Sequence, residues 1–322
     1  MKLVEVERKG RLLTRAEFGC LKGVYRINVT RGCEFKCVYC YARGYQWAPR
    51  EDEVHLYHNL PEKLSRELDN ARRRRPVNWV AFNTSSDSFQ SHPRIQDIAY
   101  RTMESLLERG VGLTFLTKGK ITDRFMKLFA NHSHLVHARI GLVSTSDAYQ
   151  QLFEPGAATV QERLDNITNL MEAGIQVEAR IDPIIPFYTD DEESITALYQ
   201  ALAERGVRKV TLSYLHLRPA ILDQLENELQ PLVAKVLMSC FEAQTWSTVG
   251  SSTRSKLIPL GLRKRGYGRF LVLAKDFGIE PIVCSCKNPD VRESRLCSSG
   301  WAVQREAQSV GGCGRQLSLF PC

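Results

Sequence analysis

With 322 residues, 43% of them hydrophobic, the chain can bury a substantial core and form one large domain with an appendage. A formal net charge of +8, from 44 Lys and Arg against 36 Asp and Glu, favours a polyanionic partner such as nucleic acid without saying which. The stretch Met1 to Lys9 alternates charged and apolar residues and has no apolar run of signal-peptide length, so neither a secretion signal nor a membrane partner is expected and the expected compartment is the cytoplasm.

Residues 1–22 read as an N-terminal strand or arm, and the β-branched run Val24 to Val29 as the first core strand. After a cysteine-bearing loop, Tyr41 to Asn59 is rich in aromatics and charges without a clear period. Pro61 stands in the first turn of a helix expected to run to about Arg73, an allowed place for proline. Val77 to Asn83 is the second strand, and Ile95 to Arg109 a helix closed by Gly110. Gly112 to Thr117 is the third strand, followed by a helix from Thr122 to Ala130. Ala138 to Ser144 is the fourth, then a helix from Thr159 to Ala173 ended by Gly174, and Ile175 to Ile181 is the fifth. Glu192 to Glu204, closed by Gly206, and Arg208 to Leu215 complete a sixth unit. Strand and helix in this alternation predict an α/β fold of parallel crossovers, six of which make an open or partial barrel. A long helical pattern follows from Pro219 to about Thr245, and a boundary is drawn near residue 246. Beyond it Ser251-Ser252-Thr253 is loop-like, Leu262 to Phe277 helical and Ile279 to Val283 a short strand, before a cysteine-, glycine- and serine-rich stretch from Cys284 to Cys322.

The chemistry concentrates in the loop after the first strand. Cys33, Cys37 and Cys40 are spaced Cys-x3-Cys-x2-Cys, and thiolates so close along a loop can converge on one soft metal centre of the iron–sulfur kind. Three ligands leave one iron of a 4Fe-4S cluster open, as a catalytic zinc keeps one position for substrate. A zinc loop or three unrelated buried thiols is the alternative. In the tail, Cys284, Cys286, Cys297, Cys313 and Cys322 are interspersed with Gly311, Gly312 and Gly314, and four of the five suffice for a second site. Softness favours a second 4Fe-4S cluster, with a structural zinc next and free thiols as the remaining alternative. Cys20 and Cys240 read as ordinary buried cysteines, and His55, His58, His132, His134 and His137 as surface or loop residues. Two basic runs stand out. Arg72 to Arg75 suits a solvated helix end, whereas Arg263-Lys264-Arg265-Gly266-Tyr267-Gly268-Arg269 has the composition of a phosphate- and base-contacting surface.

The spacing of Cys33, Cys37 and Cys40 resembles the signature of the radical S-adenosylmethionine (SAM) enzymes. Residues 23–185 further resemble spore photoproduct lyase and the radical SAM proteins similar to it, through Cys33 to Tyr41, Asn83-Thr84-Ser85-Ser86-Asp87, Leu116-Thr117-Lys118, Ser144-Thr145-Ser146, Phe153-Glu154-Pro155-Gly156 and Arg163-Leu164. This resemblance implies a partial (β/α)6 TIM-like barrel, a SAM-binding 4Fe-4S cluster, and reductive cleavage of SAM to a 5′-deoxyadenosyl radical that takes hydrogen from a substrate. An external electron donor such as flavodoxin or ferredoxin is implied with it. By the same resemblance Lys118 and Ser144 hold the SAM carboxylate, Ser85 and Ser86 meet its amino group in place of the usual Gly-Gly-Glu, and Tyr39 lies by the adenine. Tyr39 and Tyr41 match a tyrosine pair assigned to radical relay in the lyase. The lyase's hydrogen-returning cysteine is matched here by Thr84, whose O–H bond is too strong for that task, so repair of spore photoproduct is not expected. A non-catalytic, nucleic-acid-binding module with structural cysteines is the competing class; it would release no 5′-deoxyadenosine from SAM.

Overall fold

A computed structural model of the chain describes residues 1–17, 19–50, 52–72, 75–249 and 254–297. Its main sheet contains seven parallel strands, neighbours in chain order: β1 (Tyr25–Ile27), β2 (Trp79–Phe82), β3 (Gly112–Thr117), β4 (Val136–Gly141), β5 (Gln176–Ile184), β6 (Lys209–Tyr214) and β7 (Glu280–Val283). Thr14–Arg15 adds an antiparallel edge strand against β1. The six expected strands are therefore present, and β7 lengthens the sheet beyond β6.

Between the strands the chain crosses over in α1 (Leu60–Leu68), α2 (Pro93–Leu107), α3 (Asp123–Asn131), α4 (Asp147–Phe153), α5 (Val160–Glu172) and α6 (Glu192–Ala203). The starts are local chemistry: Thr159 and Glu162 form a reciprocal capping box at α5, and the Asp191 carboxylate accepts from Ser194 N at 2.9 Å to start α6. Gly110 and Gly174 close α2 and α5 at φ +69° and +72°, backbone that side-chain-bearing residues avoid.

Two expected helices differ. α1 stops at Leu68 rather than near Arg73, because the Asn70 side chain takes the Arg72 backbone N–H at 2.9 Å and turns the chain; residues 73 and 74 lie outside the described residues. The pattern from Pro219 divides into α7 (Pro219–Glu228) and α8 (Pro231–Ser239), since Pro231 holds Gln230 extended at ψ 141°. The aperiodic segment 41–59 supplies a strand, Glu53–Tyr57, that pairs with Lys2–Val6 of the arm and with Thr30–Arg31 beside the cysteine loop. After residue 246, Arg254–Leu257 pairs with His216–Leu217, and α9 (Leu260–Leu273) leads into β7.

Alternation along the strands decides what the sheet encloses. Ala138, Ile140, Val177, Ala179 and Ile181 pack in the apolar core beneath the helices. The other face of β3 to β5 carries Thr114, His137, Arg139, Glu178 and Arg180, all buried. His137 thus departs from the surface placement expected of it: it is 1% exposed, with Nε2 3.5 Å from Glu178 Oε1, because its odd register on β4 turns it inward. No helix among the described residues is long and apolar enough to cross a membrane.

Candidate active site

The cysteine loop leaves the sheet after β1 and runs to a short 3-10 turn at Tyr41–Gly44. It is held by backbone groups. Val38 N donates to Phe153 O at 3.0 Å, Gly156 N to Phe35 O at 3.0 Å, and Glu34 N to the Gln90 side chain at 2.8 Å. The approach at Gly156 leaves no room for a side chain: a Cβ there would stand 2.4 Å from Glu34 O and 2.8 Å from Phe35 Cα. Phe153-Glu154-Pro155-Gly156, at the end of α4, is therefore the clamp that positions the loop.

Cys33, Cys37 and Cys40 line a cavity of about 210 Å³ together with Ser85, Ser86 and Asp87, which follow β2, and Thr117 and Lys118 at the end of β3. All of these lie at or beyond the carboxyl ends of strands, where barrels of this kind gather their chemistry. Burial pushes the Cys33 thiol well above its ordinary value and Cys37 up to about 12, with the Glu154 charge adding to the effect on Cys37 and Lys118 opposing it. Such thiols keep their protons until a metal displaces them. Three soft donors on one loop, facing a cavity whose other wall offers hydroxyls, a carboxyl and an ammonium, fit a three-thiolate iron–sulfur cluster with its open position toward a zwitterionic ligand.

Asp87 is the acid of that wall. Its carboxylate accepts from the Thr117 hydroxyl at 2.9 and 2.8 Å, from Phe89 N at 2.9 Å and from Lys118 N at 3.1 Å. Burial nonetheless outweighs these bonds and raises its pKa to about 6. The Lys118 stem runs past Gly141, where a Cβ would meet its Cγ at 2.9 Å, and its ammonium stands 5.4 Å from the Tyr39 ring centroid.

The remaining expected site residues divide. Tyr41 lines the cavity; its hydroxyl donates to Thr84 O at 2.6 Å, and the Arg218 guanidinium lies 4.6 Å from its ring centroid. Tyr39 and Ser144 are buried and are not among the described residues lining that cavity. Tyr39 instead donates its hydroxyl to Glu154, and the Ser144 hydroxyl accepts from Ser146 N at 3.0 Å. Thr84 is buried, its hydroxyl accepting from the Asn28 amide at 2.8 Å.

Glu154 and Arg163 lie in segments that carry the resemblance, and no role is expected of either from sequence. Glu154 is 0% and Arg163 1% exposed, with 2.5 Å between Oε2 and Nη1. Arg163 also donates to Ala158 O at 2.8 Å and Gly141 O at 3.0 Å. Although burial acts to raise the Glu154 pKa, Arg163 and Lys118 hold it below the usual carboxylate value. The pair ties α5 to the clamp and, through Tyr39, to the cysteine loop. A Glu and an Arg nine residues apart on either side of a Pro-Gly turn carry no pairing signal in sequence, but each falls inside a segment quoted for its resemblance.

A second group of thiols gathers beyond the end of β7. Cys284, Cys286 and Cys297 come together as expected of them, while Cys313 and Cys322 lie outside the described residues. The fourth member is Cys20, read from sequence as ordinary packing. Its Sγ is 3.7 Å from that of Cys284, and the sulfurs of Cys20, Cys284 and Cys297 all lie within 4.8 Å of one another. Cys240 is buried, its Sγ 3.9 Å from Val236 O. In the basic run, Arg263 is buried and binds Asp290 and Asn288, the Tyr267 hydroxyl donates to Asn288, and Arg269 pairs with Asp190, so these side chains serve the interior rather than a phosphate-facing surface.

A family profile described as the Radical SAM superfamily matches residues 27–202. An uncharacterized protein of Mycobacterium tuberculosis is 29% identical over 204 residues, 60% of this chain and 59% of that protein. The chain thus matches less than two thirds of that relative's length. A radical SAM Nalpha-GlyT isomerase of Pseudomonas phage M6 is 22% identical over 217 residues, 65% of this chain and 44% of the isomerase. Among solved structures, spore photoproduct lyase with bound AdoMet and dinucleoside spore photoproduct superposes with a TM-score of 0.66 at 16% identity, covering 87% of this chain and 81% of that one. At that identity the likeness speaks for the fold.

Proposed function

This chain belongs to the Radical SAM superfamily, and from that premise we propose that Cys33, Cys37 and Cys40 hold its 4Fe-4S cluster, with SAM in the adjoining cavity. Reduced by an external donor such as flavodoxin or ferredoxin, a cluster held there would supply the electron for cleaving SAM to methionine and a 5′-deoxyadenosyl radical, which would take hydrogen from the substrate. One observation carries the reading: thiols from the loop after β1 share a single cavity with polar groups from the ends of β2 and β3.

The chain's own groups then divide the work of holding SAM. The Lys118 ammonium takes the carboxylate through a charge-assisted bond. Ser85, Ser86 and the Asp87 carboxylate take the amino group, Asp87 supplying the negative charge that an ammonium prefers. Ser144 supports this wall from behind by fixing the start of α4. Tyr39, restrained by Glu154, backs the cysteine loop just before Cys40 rather than lining the cavity, and Tyr41 closes the cavity toward the substrate, its hydroxyl already engaged by Thr84 O. Repair of spore photoproduct is not the reaction, since the hydrogen-donating thiol it needs is replaced by Thr84, whose hydroxyl is buried against Asn28.

The test is anaerobic reconstitution with iron and sulfide, followed by SAM and dithionite. The wild type should release 5′-deoxyadenosine, and a variant with Cys33, Cys37 and Cys40 replaced by alanine should release none while keeping the native circular dichroism. Undiminished 5′-deoxyadenosine from that variant would overturn the assignment.

A further inference from the structure

The second group of thiols has a geometry that a cubane cluster does not produce. A tetrahedral ion with metal–sulfur bonds of about 2.3 Å sets its sulfurs about 3.8 Å apart. A cubane, by contrast, takes each thiolate on a different iron at a different corner and keeps them farther apart. Cys20 Sγ and Cys284 Sγ are 3.7 Å apart. Cys297 Sγ lies within 4.8 Å of both, and the half-buried Cys286, whose Sγ is 2.9 Å from that of Cys284, supplies the fourth thiol at the edge of the group. We propose that Cys20, Cys284, Cys286 and Cys297 form one closed tetrathiolate site for a single divalent ion of the zinc class, and that this ion clasps the two edges of the open barrel.

The backbone around the four sulfurs is built for convergence. Cys284 follows β7 directly, and Lys287 N and Asn288 N both return to Cys284 O, at 3.2 and 3.0 Å, so the turn folds Cys286 back toward it. Cys297 is brought alongside by the bridge between Cys284 and Arg295, in which Ser285 N donates to Arg295 O at 2.9 Å and Arg295 N to Val283 O at 3.1 Å. Cys20 lies in the 3-10 turn Gly19–Leu21, between the edge strand Thr14–Arg15 and β1. That strand and β7 are the opposite ends of the sheet order. One ion therefore joins residues 264 positions apart in sequence, at the place where a partial barrel is open.

The surroundings match the charge of such a site. Four thiols that lose four protons to a divalent ion leave a net charge of −2. Arg180 Nη1 stands 3.9 Å from Cys297 Sγ, and Arg139 is buried on the neighbouring strand β4. Lys287, on the same turn as Cys286, pairs with Asp182 at 2.6 Å. The buried cations Arg139 and Arg180 and the half-buried Lys287 give this end of the barrel a positive setting that suits an anionic centre. With four ligands at hand the site needs neither Cys313 nor Cys322.

Metal content separates this proposal from the alternatives and from the fate of the SAM site. In the full-length variant lacking Cys33, Cys37 and Cys40, purified without added metal, elemental analysis should find about one zinc per chain. Adding Cys20→Ser should reduce it at least fivefold, whereas adding Cys313→Ala and Cys322→Ala should leave it unchanged. Cobalt substitution should give the intense red-region absorption of a tetrahedral tetrathiolate, weakened and shifted by Cys286→Ser, a half-buried position that serves if the Cys20 variant is insoluble. Four irons per chain, loss of the ion on removing Cys313 and Cys322, or a metal-free protein with Cys284 and Cys286 oxidised would each overturn the proposal.

Discussion

Replacing Glu154 by glutamine removes one charge from a pair with almost no water access and leaves the volume nearly unchanged. Breaking a buried ion pair from one side typically costs about 3–5 kcal/mol, because the surviving charge stays desolvated. Here the lower end applies, about 3 kcal/mol, since Arg163 keeps its bonds to Ala158 O and Gly141 O and Tyr39 still finds an acceptor in the amide oxygen. The sign of the pH dependence follows from the depressed pKa of Glu154. A carboxyl lowered on folding contributes stability that is fully present above its unfolded value, near 4.3, and is lost as pH falls through the folded value. The wild type should therefore carry the full 3 kcal/mol advantage, roughly, at pH 7, and the variant should show a shallower acid limb. Urea denaturation of the metal-free protein followed by circular dichroism reads both quantities. The double change Glu154→Leu with Arg163→Met should be less destabilising than the sum of the singles, because no charge is then stranded. A loss below about 1 kcal/mol for Glu154→Gln, or strict additivity in the double variant, would refute the view that this pair holds the clamp together.

Other outcomes follow from the same geometry. Gly156→Ala should displace Glu34 and Phe35, cost about 1–3 kcal/mol, and lower the iron retained after reconstitution; full iron content would show that Gly156 does not position the loop. Lys118→Ala should weaken SAM binding by about 1.5–3 kcal/mol, tenfold or more, measured by equilibrium binding to the reconstituted protein, and an unchanged dissociation constant would remove Lys118 from the carboxylate. Asp87, with its folded pKa raised by burial to about 6, contributes stability below its unfolded value that is lost as pH rises through about 6. Relative to Asp87→Asn, metal-free wild type should accordingly lose roughly 2–3 kcal/mol between about pH 4 and pH 6. A spore-photoproduct dinucleotide should be returned unrepaired, and its conversion to thymidines would mean that a group other than residue 84 donates the hydrogen.

Much of the fold was legible because buried parallel strands write themselves as short β-branched runs between glycine-closed helices, and that pattern needs no knowledge of distant residues. The cysteine loop was legible for a similar reason: its three cysteines lie within eight residues, so the spacing itself brings them together. What was hidden depends on how the sheet curves. His137 looked like one of several loop histidines, yet a single step of register on β4 places it beside Glu178 inside the barrel. Arg263 and Tyr267 looked like a nucleic-acid surface, but a helix interleaving cations with an aromatic has the same composition whether its cations meet phosphates or, as here, Asp290 and Asp190. Cys20 is the strongest case. Alone near the start of the chain it has no ligand spacing to any other cysteine, and only closure of the sheet edges sets it against Cys284. The grouping of Cys284, Cys286 and Cys297 was therefore foreshadowed by their spacing, while the place of Cys20 beside them was not, because topology supplies that member. The same holds for Glu154 and Arg163, whose importance comes from burial that no local pattern records. In this chain the residues that touch the cavity are encoded locally, and those that hold the cavity in place are encoded by the path of the chain around it.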